Sequence, residues 1–238
     1  MRKLLLIVFA FSALPAISQT IKKDKYNLAD RAADHIMLQI SSDHWSGAPD
    51  SISRHIGGLS RGANAYLMLD KPFKGNQKVS VGIGIGVSTS SIVFKKMLVQ
   101  IESSSPLLPF RAVDTTTYFK KYKVATSFLE VPLELRFTSN PAHPNKSFKA
   151  AIGIKGGVML NAHTKGKILK NSSNTVINNY TQKNLSKNYF NTTRLVATAR
   201  IGYGIFSLFG AYNITSVFKD GVAPNMKLYQ VGLTISGL

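Results

Sequence analysis

The chain has 238 residues, of which 44% are hydrophobic and 17% are charged, and its formal net charge is +19 at pH 7. This length suits one barrel or one ordinary globular domain, and no run of about 18 consecutive apolar residues predicts a helical membrane span. Because the sequence contains no cysteine, disulfides, thiolate chemistry and a lipoprotein anchor are excluded.

The N-terminus has the pattern of a secretory signal peptide over residues 1–18. Its basic start is followed by a short apolar stretch, and Ala16 and Ser18 supply the small residues of a cleavage site. An N-terminal membrane anchor is the alternative, which the shortness of the apolar stretch disfavours. We therefore expect a periplasmic segment over 19–33 and an outer-membrane barrel over 34–238.

The strongest pattern after this segment is an alternation of apolar and polar residues with a period of two. Such a period places alternate side chains on opposite faces of a strand. The longest alternation, over 146–165, exceeds the roughly 9–11 residues that a tilted transmembrane strand needs. The alternating segments predict eight strands, in chain order 35–41, 60–69, 78–88, 124–138, 147–164, 193–203, 206–215 and 227–238.

Spanning strands must close into a ring, because a bilayer offers no water to unpaired backbone amides. The sequence thus predicts an all-β fold, an eight-stranded antiparallel up-and-down transmembrane β-barrel. The connections alternate between long and short, as in barrels with long extracellular loops and short periplasmic turns. The long ones are 42–59, 89–123, 165–192 and 216–226, and the short ones are 70–77, 139–146 and a hairpin near Tyr203.

The inward-facing rows of these strands carry charged residues. Pairing the fourth and fifth strands through the 139–146 turn predicts Glu130 opposite Lys155, and Arg136 near Lys149. Eight strands leave an interior just wide enough for side chains, so we expect a structural ionic network, with an ion path as the alternative. Its predicted members are Glu130, Glu134, Arg136, Lys149, Lys155 and Arg200, and Arg194 belongs to the same inward rows.

Glycines, histidines and the single tryptophan are the candidate sites of chemistry in this sequence. Three inward glycines, Gly82, Gly84 and Gly86, lie inside a strand. They are expected to make room for bulky side chains from across the lumen, not to bind a nucleotide. The histidines lack metal-binding spacing. His163 is predicted to point inward at the outer rim, with a general base acting on outer-leaflet lipid as its alternative. Trp45 is predicted to join the interfacial aromatic belt, with a ligand contact as its alternative. We expect no catalytic residue, no metal, no cofactor and no enzyme activity.

Lysines crowd two of the outer loops. We expect them to bind the phosphates of outer-leaflet glycolipid, with a solvated basic surface as the alternative. Nucleic acid is not an expected partner, because an exported protein does not meet the chromosome. The candidate contacts are Lys120, Lys121, Lys123, Lys165, Lys167 and Lys170.

The segment 128–136, FLEVPLELR, resembles the (Y/F)LE(I/V)PLxL(K/R) strand of the PorT-like outer-membrane β-barrel family. Further similarity covers SVGIGIGVSTSSI, SFKAAIGIKGG and the closing GLTISGL. The resemblance implies a small outer-membrane barrel with Glu130 in its lumen, and a few members of the family take part in protein secretion. Many outer-membrane barrels end in an aromatic residue, whereas this sequence ends in Leu238.

These features predict a non-enzymatic outer-membrane protein of a Gram-negative bacterium, with a structural or interaction role in the cell envelope. The resemblance adds an accessory role in protein secretion. The expected partners are outer-membrane lipid and glycolipid, and other envelope or secretion proteins. A narrow porin-like channel for small solutes and a lipid-modifying enzyme are the alternatives.

Overall fold

Eight antiparallel strands close into a barrel in the computed structural model, which describes residues 36–58, 60–113 and 117–237. Each strand of the barrel pairs with the next one along the chain, and the last pairs with the first. These strands are β1 (Ile36–Ser46), β2 (Arg61–Phe73), β3 (Asn76–Phe94), β6 (Tyr118–Thr138), β7 (Phe148–Lys170), β9 (Thr193–Tyr203), β10 (Phe206–Asn213) and β11 (Lys227–Ser236).

The predicted fold class is confirmed, and each predicted strand has its counterpart among these eight. Four strands, β1, β3, β6 and β7, extend further toward the long connections than predicted, because their backbone pairing continues beyond the lipid-facing apolar rows. The predicted loops 89–123 and 165–192 are therefore partly strand. The signal peptide over 1–18, the segment 19–33, His35 and Leu238 lie outside the described residues.

The long connections carry further regular structure. A short hairpin joins β4 (Met97–Val99) to β5 (Phe110–Ala112), and β8 (Val176–Leu185) pairs with the end of β7 beyond the barrel wall. A one-turn helix, α1, covers Asp50–Ser53, and a 3-10 turn at Pro144–Lys146 precedes β7. In the described part of the chain, no helix is long and apolar enough to cross a membrane.

The outer surface of the barrel is a continuous apolar band. Leu133 is 44% exposed and Ile152 is 63% exposed, whereas Glu130 and Lys155, in the inward rows of the same two strands, are 1% and 2% exposed. An aliphatic surface of this extent is unfavourable in water and stable in lipid. The band also includes Ile40, Leu67, Leu69, Ile83, Ile85, Leu135, Ile154, Leu208, Val231 and Leu233.

A bulge in β7 reverses the direction of its side chains near the outer rim. Ser127 of β6 pairs with Asn161 and Phe128 pairs with Met159, so Leu160 between them has no partner. An extra residue shifts the alternation by one position. His163 therefore lies on the outer face of the sheet, and the prediction that it points inward is wrong.

An apolar cluster, here called the apolar plug, fills the barrel near the long connections. Trp45 belongs to it, with its ring centroid 5.7 Å from that of Phe94 and 5.4 Å from that of Phe218. The predicted place of Trp45 in the interfacial belt is wrong, because it continues the inward row of β1. Other members of the apolar plug are Ile92, Phe128, Met159, Phe190, Met226 and Leu228.

Candidate functional site

A first group of charged side chains lies in the lumen around Glu130. The Arg194 Nη2 atom is 2.7 Å from Glu130 Oε1, and the Tyr66 hydroxyl donates to Glu130 Oε2 at 2.5 Å. The Lys155 ammonium donates to the Tyr66 hydroxyl oxygen and to Gln39 Oε1, both at 3.1 Å. The five side chains of this hydrogen-bonded group therefore come from five different strands, β1, β2, β6, β7 and β9.

A second group lies nearer the short turns, around Glu134. Its Oε2 atom accepts hydrogen bonds from Arg136 Nε at 2.9 Å and from Arg200 Nη2 at 3.1 Å. The Arg136 Nη1 atom also approaches Asp70 Oδ1 at 3.7 Å. Lys149 is buried in the same part of the lumen, at 6% exposure. The six residues predicted for the lumenal network all lie in the barrel interior.

One predicted pairing differs from the structure. Glu130 pairs with Gly157 and Lys155 with Pro132, two positions away from the predicted register. Arg136 lies opposite Ala151, two residues from Lys149 along the inward row of β7. The connection between β6 and β7 is two residues longer than predicted. It covers residues 139–148, and the residues that flank it, Thr138 and Lys149, pair with each other. The Glu130–Lys155 contact is consequently relayed through the Tyr66 hydroxyl.

Three residues that form hydrogen bonds or ion pairs in the lumen were not predicted from the sequence: Tyr66, Asp70 and Asp43. Tyr66 and Asp70 belong to the inward row of β2, so the alternation of residues along this strand could have predicted that both point into the lumen. Asp43 is fully buried, and its Oδ1 atom accepts hydrogen bonds from Ser41 Oγ at 2.5 Å and from Gln230 Nε2 at 3.0 Å. Polar groups in such a site must satisfy one another, since the surrounding wall offers no water.

The inward glycines of β3 lie beneath large side chains. A Cβ atom on Gly82 would lie 2.5 Å from Arg136 Nε, and one on Gly84 would meet the Met68 sulfur. A Cβ on Gly86 would meet the Tyr66 ring. The prediction that side chains from across the lumen fill this space is wrong, because the covering side chains come from the adjacent strands β2 and β6. These glycines let the network residues lie flat against the wall.

The outer surface above the apolar band carries a different arrangement. On β6, β7 and β8, Lys123 pairs with Lys165, and Lys165 pairs with Lys183. Like charges placed directly opposite each other on neighbouring strands are destabilising. We call this surface the basic face, formed by Lys121, Lys123, Lys165, Lys167 and Lys183.

Burial and mutual repulsion perturb the ionisation of this surface. Partial burial lowers the pKa of Lys123, and the charges of Lys165 and Arg61 lower it further. Burial likewise lowers the pKa of His163, and Lys183 adds to the effect. Both groups lie beyond Leu160, where the lipid-facing row of β7 ends. The surface therefore has unfavourable positive charge that a bound anion would relieve.

Two of the predicted glycolipid contacts lie farther from the apolar band. Lys170 is at the far end of β7, where its ammonium donates to Asn174 Oδ1 at 2.7 Å. Lys120 is exposed on β6, three residues beyond Lys123 and away from the apolar band. At about 3.3 Å of rise per residue, these two lysines stand well above the lysines nearest the lipid, Lys123 and Lys165.

A groove of about 700 Å³ borders the basic face on the outside of the barrel. Its upper part is polar and cationic, with Arg61, Ser91 and Lys123, whose ammonium donates to Ser91 Oγ at 3.2 Å. Its lower part is apolar and includes Ile40 and Leu233. The groove therefore offers cations above an aliphatic surface.

A closed barrel with aliphatic side chains outside and paired charges inside defines a β-barrel membrane protein. The family described as outer membrane protein beta-barrel domain matches residues 36–219, and the chain belongs to this family. The crystal structure of Ail, the attachment invasion locus protein of Yersinia pestis, aligns over 84% of this chain and 94% of its own, with 12% identity and a TM-score of 0.34. No curated protein matches the sequence.

Glu130→Gln tests whether the lumenal charges stabilise the barrel as pairs. The change leaves the buried Arg194 guanidinium opposite a neutral amide, and removing one partner of a buried pair costs about 3 kcal/mol or more. We expect a loss of this size in the free energy of unfolding by urea in lipid vesicles. The exposed Asp220→Asn exchange is the matched control and should change it little. Equal stability of the Glu130→Gln variant and the parent protein would contradict the pairing.

Proposed function

We propose that this outer-membrane protein is a non-enzymatic component of the cell envelope that binds anionic glycolipid of the outer leaflet. The observation that carries the proposal is the row of directly opposed lysines, Lys123, Lys165 and Lys183, beside the cationic end of the groove. No acidic residue occurs in the sequence from 165 to 193 to offset them. Phosphate groups of a glycolipid supply the missing negative charge.

The groove supports the same proposal with a second kind of contact. A glycolipid carries phosphate at the level of its head group and acyl chains below it. Arg61 and Lys123 line the upper part of the groove, and Ile40 and Leu233 line the lower part. A ligand with this distribution of charge and apolar surface matches both parts at once.

The remaining features are part of the proposal. Residues 1–18 serve as the export signal, 19–33 as a periplasmic segment and 34–238 as the barrel. The FLEVPLELR strand, with Glu130 buried in the lumen, supports a place among PorT-like barrels and an accessory role in protein secretion. Other envelope or secretion proteins are then the partners of its extracellular surface, and neither a cofactor nor nucleic acid takes part.

Replacing lysines of the basic face tests glycolipid binding. In the triple variant Lys123→Gln, Lys165→Gln and Lys167→Gln, we expect affinity for lipid A in mixed vesicles to fall about 100-fold, at about 1 kcal/mol for each cation near an anionic surface. Native mass spectrometry of the protein released from these vesicles counts the bound lipid.

The control for this experiment carries the same number of neutralised lysines at the opposite end of the barrel. Lys71, Lys74 and Lys78 surround the short β2–β3 turn, and their exchange for glutamine should leave lipid A retention unchanged. An equal loss in both triple variants would show that the effect comes from net charge alone. Unchanged lipid A retention in the basic-face variant would contradict the proposal.

Conductance separates this proposal from a porin-like channel. The apolar plug and the two charged groups occupy the lumen from one end to the other, so we expect no steady ionic current when the purified protein is inserted into planar bilayers. Stepwise conductance above the bare-membrane level would favour the channel instead.

A further inference from the structure

A cavity of about 480 Å³ lies on the opposite side of the sheet that carries the basic face. Its floor is the inward face of β6, β7 and β8, where Gly166 pairs with Gln182 and Thr164 pairs with Asn184. Its other wall is the segment 98–104, at and after β4. The cavity therefore lies above the membrane, beside the mouth of the barrel.

We propose that this cavity is a binding site for a neutral saccharide. The proposal does not depend on glycolipid binding, because the two surfaces lie on opposite faces of the same strands. It rests on the chemistry of the lining, on the rigidity of the wall and on the absence of cations among the described lining residues.

The polar lining suits hydroxyl groups. Three side-chain amides, those of Gln100, Gln182 and Asn184, face the cavity, and each amide both donates and accepts hydrogen bonds. A sugar hydroxyl has the same double capacity, so one amide can satisfy it in both directions. Glu102 adds a carboxylate acceptor, and serine hydroxyls complete the set at Ser103 and Ser104.

The apolar lining suits the C–H surface of a sugar ring. Phe119 and Tyr122 line the cavity, with ring centroids 6.1 Å apart and an interplanar angle of 17°. Phe119 can lie flat on the sheet because Gly166 is beneath it, where a Cβ atom would come within 2.6 Å of the Phe119 Cδ2 atom. Flat aromatic rings beside amides provide contact area and hydrogen bonds for the same ligand.

Hydrogen bonds hold the wall of the cavity in place. The Tyr122 hydroxyl donates to the Val99 carbonyl at 2.9 Å, and the Glu102 carboxylate accepts from the Leu185 amide at 3.2 Å. The Tyr189 hydroxyl is within 2.7 Å of the Ser103 carbonyl oxygen. A wall that is already ordered loses little conformational freedom when a ligand binds.

Charge selects against a phosphorylated ligand in this cavity. Lys183 lies between Gln182 and Asn184 along β8, but alternate residues of a strand face opposite ways. The lysine therefore belongs to the basic face and the two amides to the cavity. Glu102 would repel a phosphate group inside the cavity, whereas it can accept hydrogen bonds from hydroxyl groups.

The experiment uses the full-length protein in lauryldimethylamine oxide, because a maltoside detergent would present sugar to the cavity. An array of neutral gluco-, manno- and galacto-oligosaccharides is probed first, and the strongest binder is titrated by calorimetry. In the double variant Gln182→Ala and Asn184→Ala, we expect at least about tenfold weaker binding, since each amide contributes about 1 kcal/mol.

The matched control is the double variant Thr181→Ala and Lys183→Ala, on the other face of the same strand, which should bind within about twofold of the parent protein. Gly166→Ala displaces the Phe119 ring and should weaken binding without a change at the amides. Three results would overturn the proposal: no array oligosaccharide binds the folded protein, the control loses as much affinity as the amide variant, or phosphorylated sugars bind more tightly than neutral ones.

Discussion

The pairing of charges inside a narrow barrel is the interaction on which the rest of this structure depends. Lipid surrounds the wall, so the ionised side chains of the inward rows have only each other and the neighbouring polar groups as partners. Glu130 bonds Arg194 and Tyr66, and Glu134 bonds Arg136 and Arg200. The Glu134–Arg136 contact lies within β6. The other three contacts join strands that are not neighbours in the sheet, so they tie together a ring whose backbone pairs join only neighbours.

Because the interior is filled in this way, both proposed binding surfaces lie outside the lumen. The charged groups and the apolar plug occupy the lumen, and the glycines of β3 let the largest of these side chains lie against the wall. The same strands β6 and β7 then continue beyond the lipid and gain β8 as a third strand. Their two faces differ: one carries opposed lysines, and the other carries amides and aromatic rings.

The spanning part of the fold could be predicted because lipid imposes a simple pattern. An aliphatic residue at every second position showed the strands, and the parity of Leu133 and Ile152 against Glu130 and Lys155 showed which face each occupies. Continuing the same parity along β1 would also have placed Trp45 inside. The register between β6 and β7 was not predictable, because it depends on how many residues the 139–148 connection consumes and on the bulge at Leu160.

The extracellular part was less predictable for a physical reason. Strands that leave the membrane can be polar on both faces, so β8 and the ends of β6 and β7 show no alternation that distinguishes them from loops. The lysines of the basic face were recognised by their number alone. Their direct opposition across strands, and the cavity behind them, depend on pairings between segments far apart in sequence.

The central claim is that the aliphatic rows of the barrel face lipid and the charged rows face the lumen. Its most direct test is a spin-label accessibility scan along β7 in bilayers. The natural sequence has no cysteine, so single cysteines can be introduced from Ile152 to Lys167, omitting Lys155. Oxygen accessibility should peak at Ile152, Ile154, Val158 and Leu160 and then change phase, so that Asn161 and His163 become the outward positions. Uniform accessibility to a water-soluble nickel complex, or an alternation with no phase change at Leu160, would contradict this account.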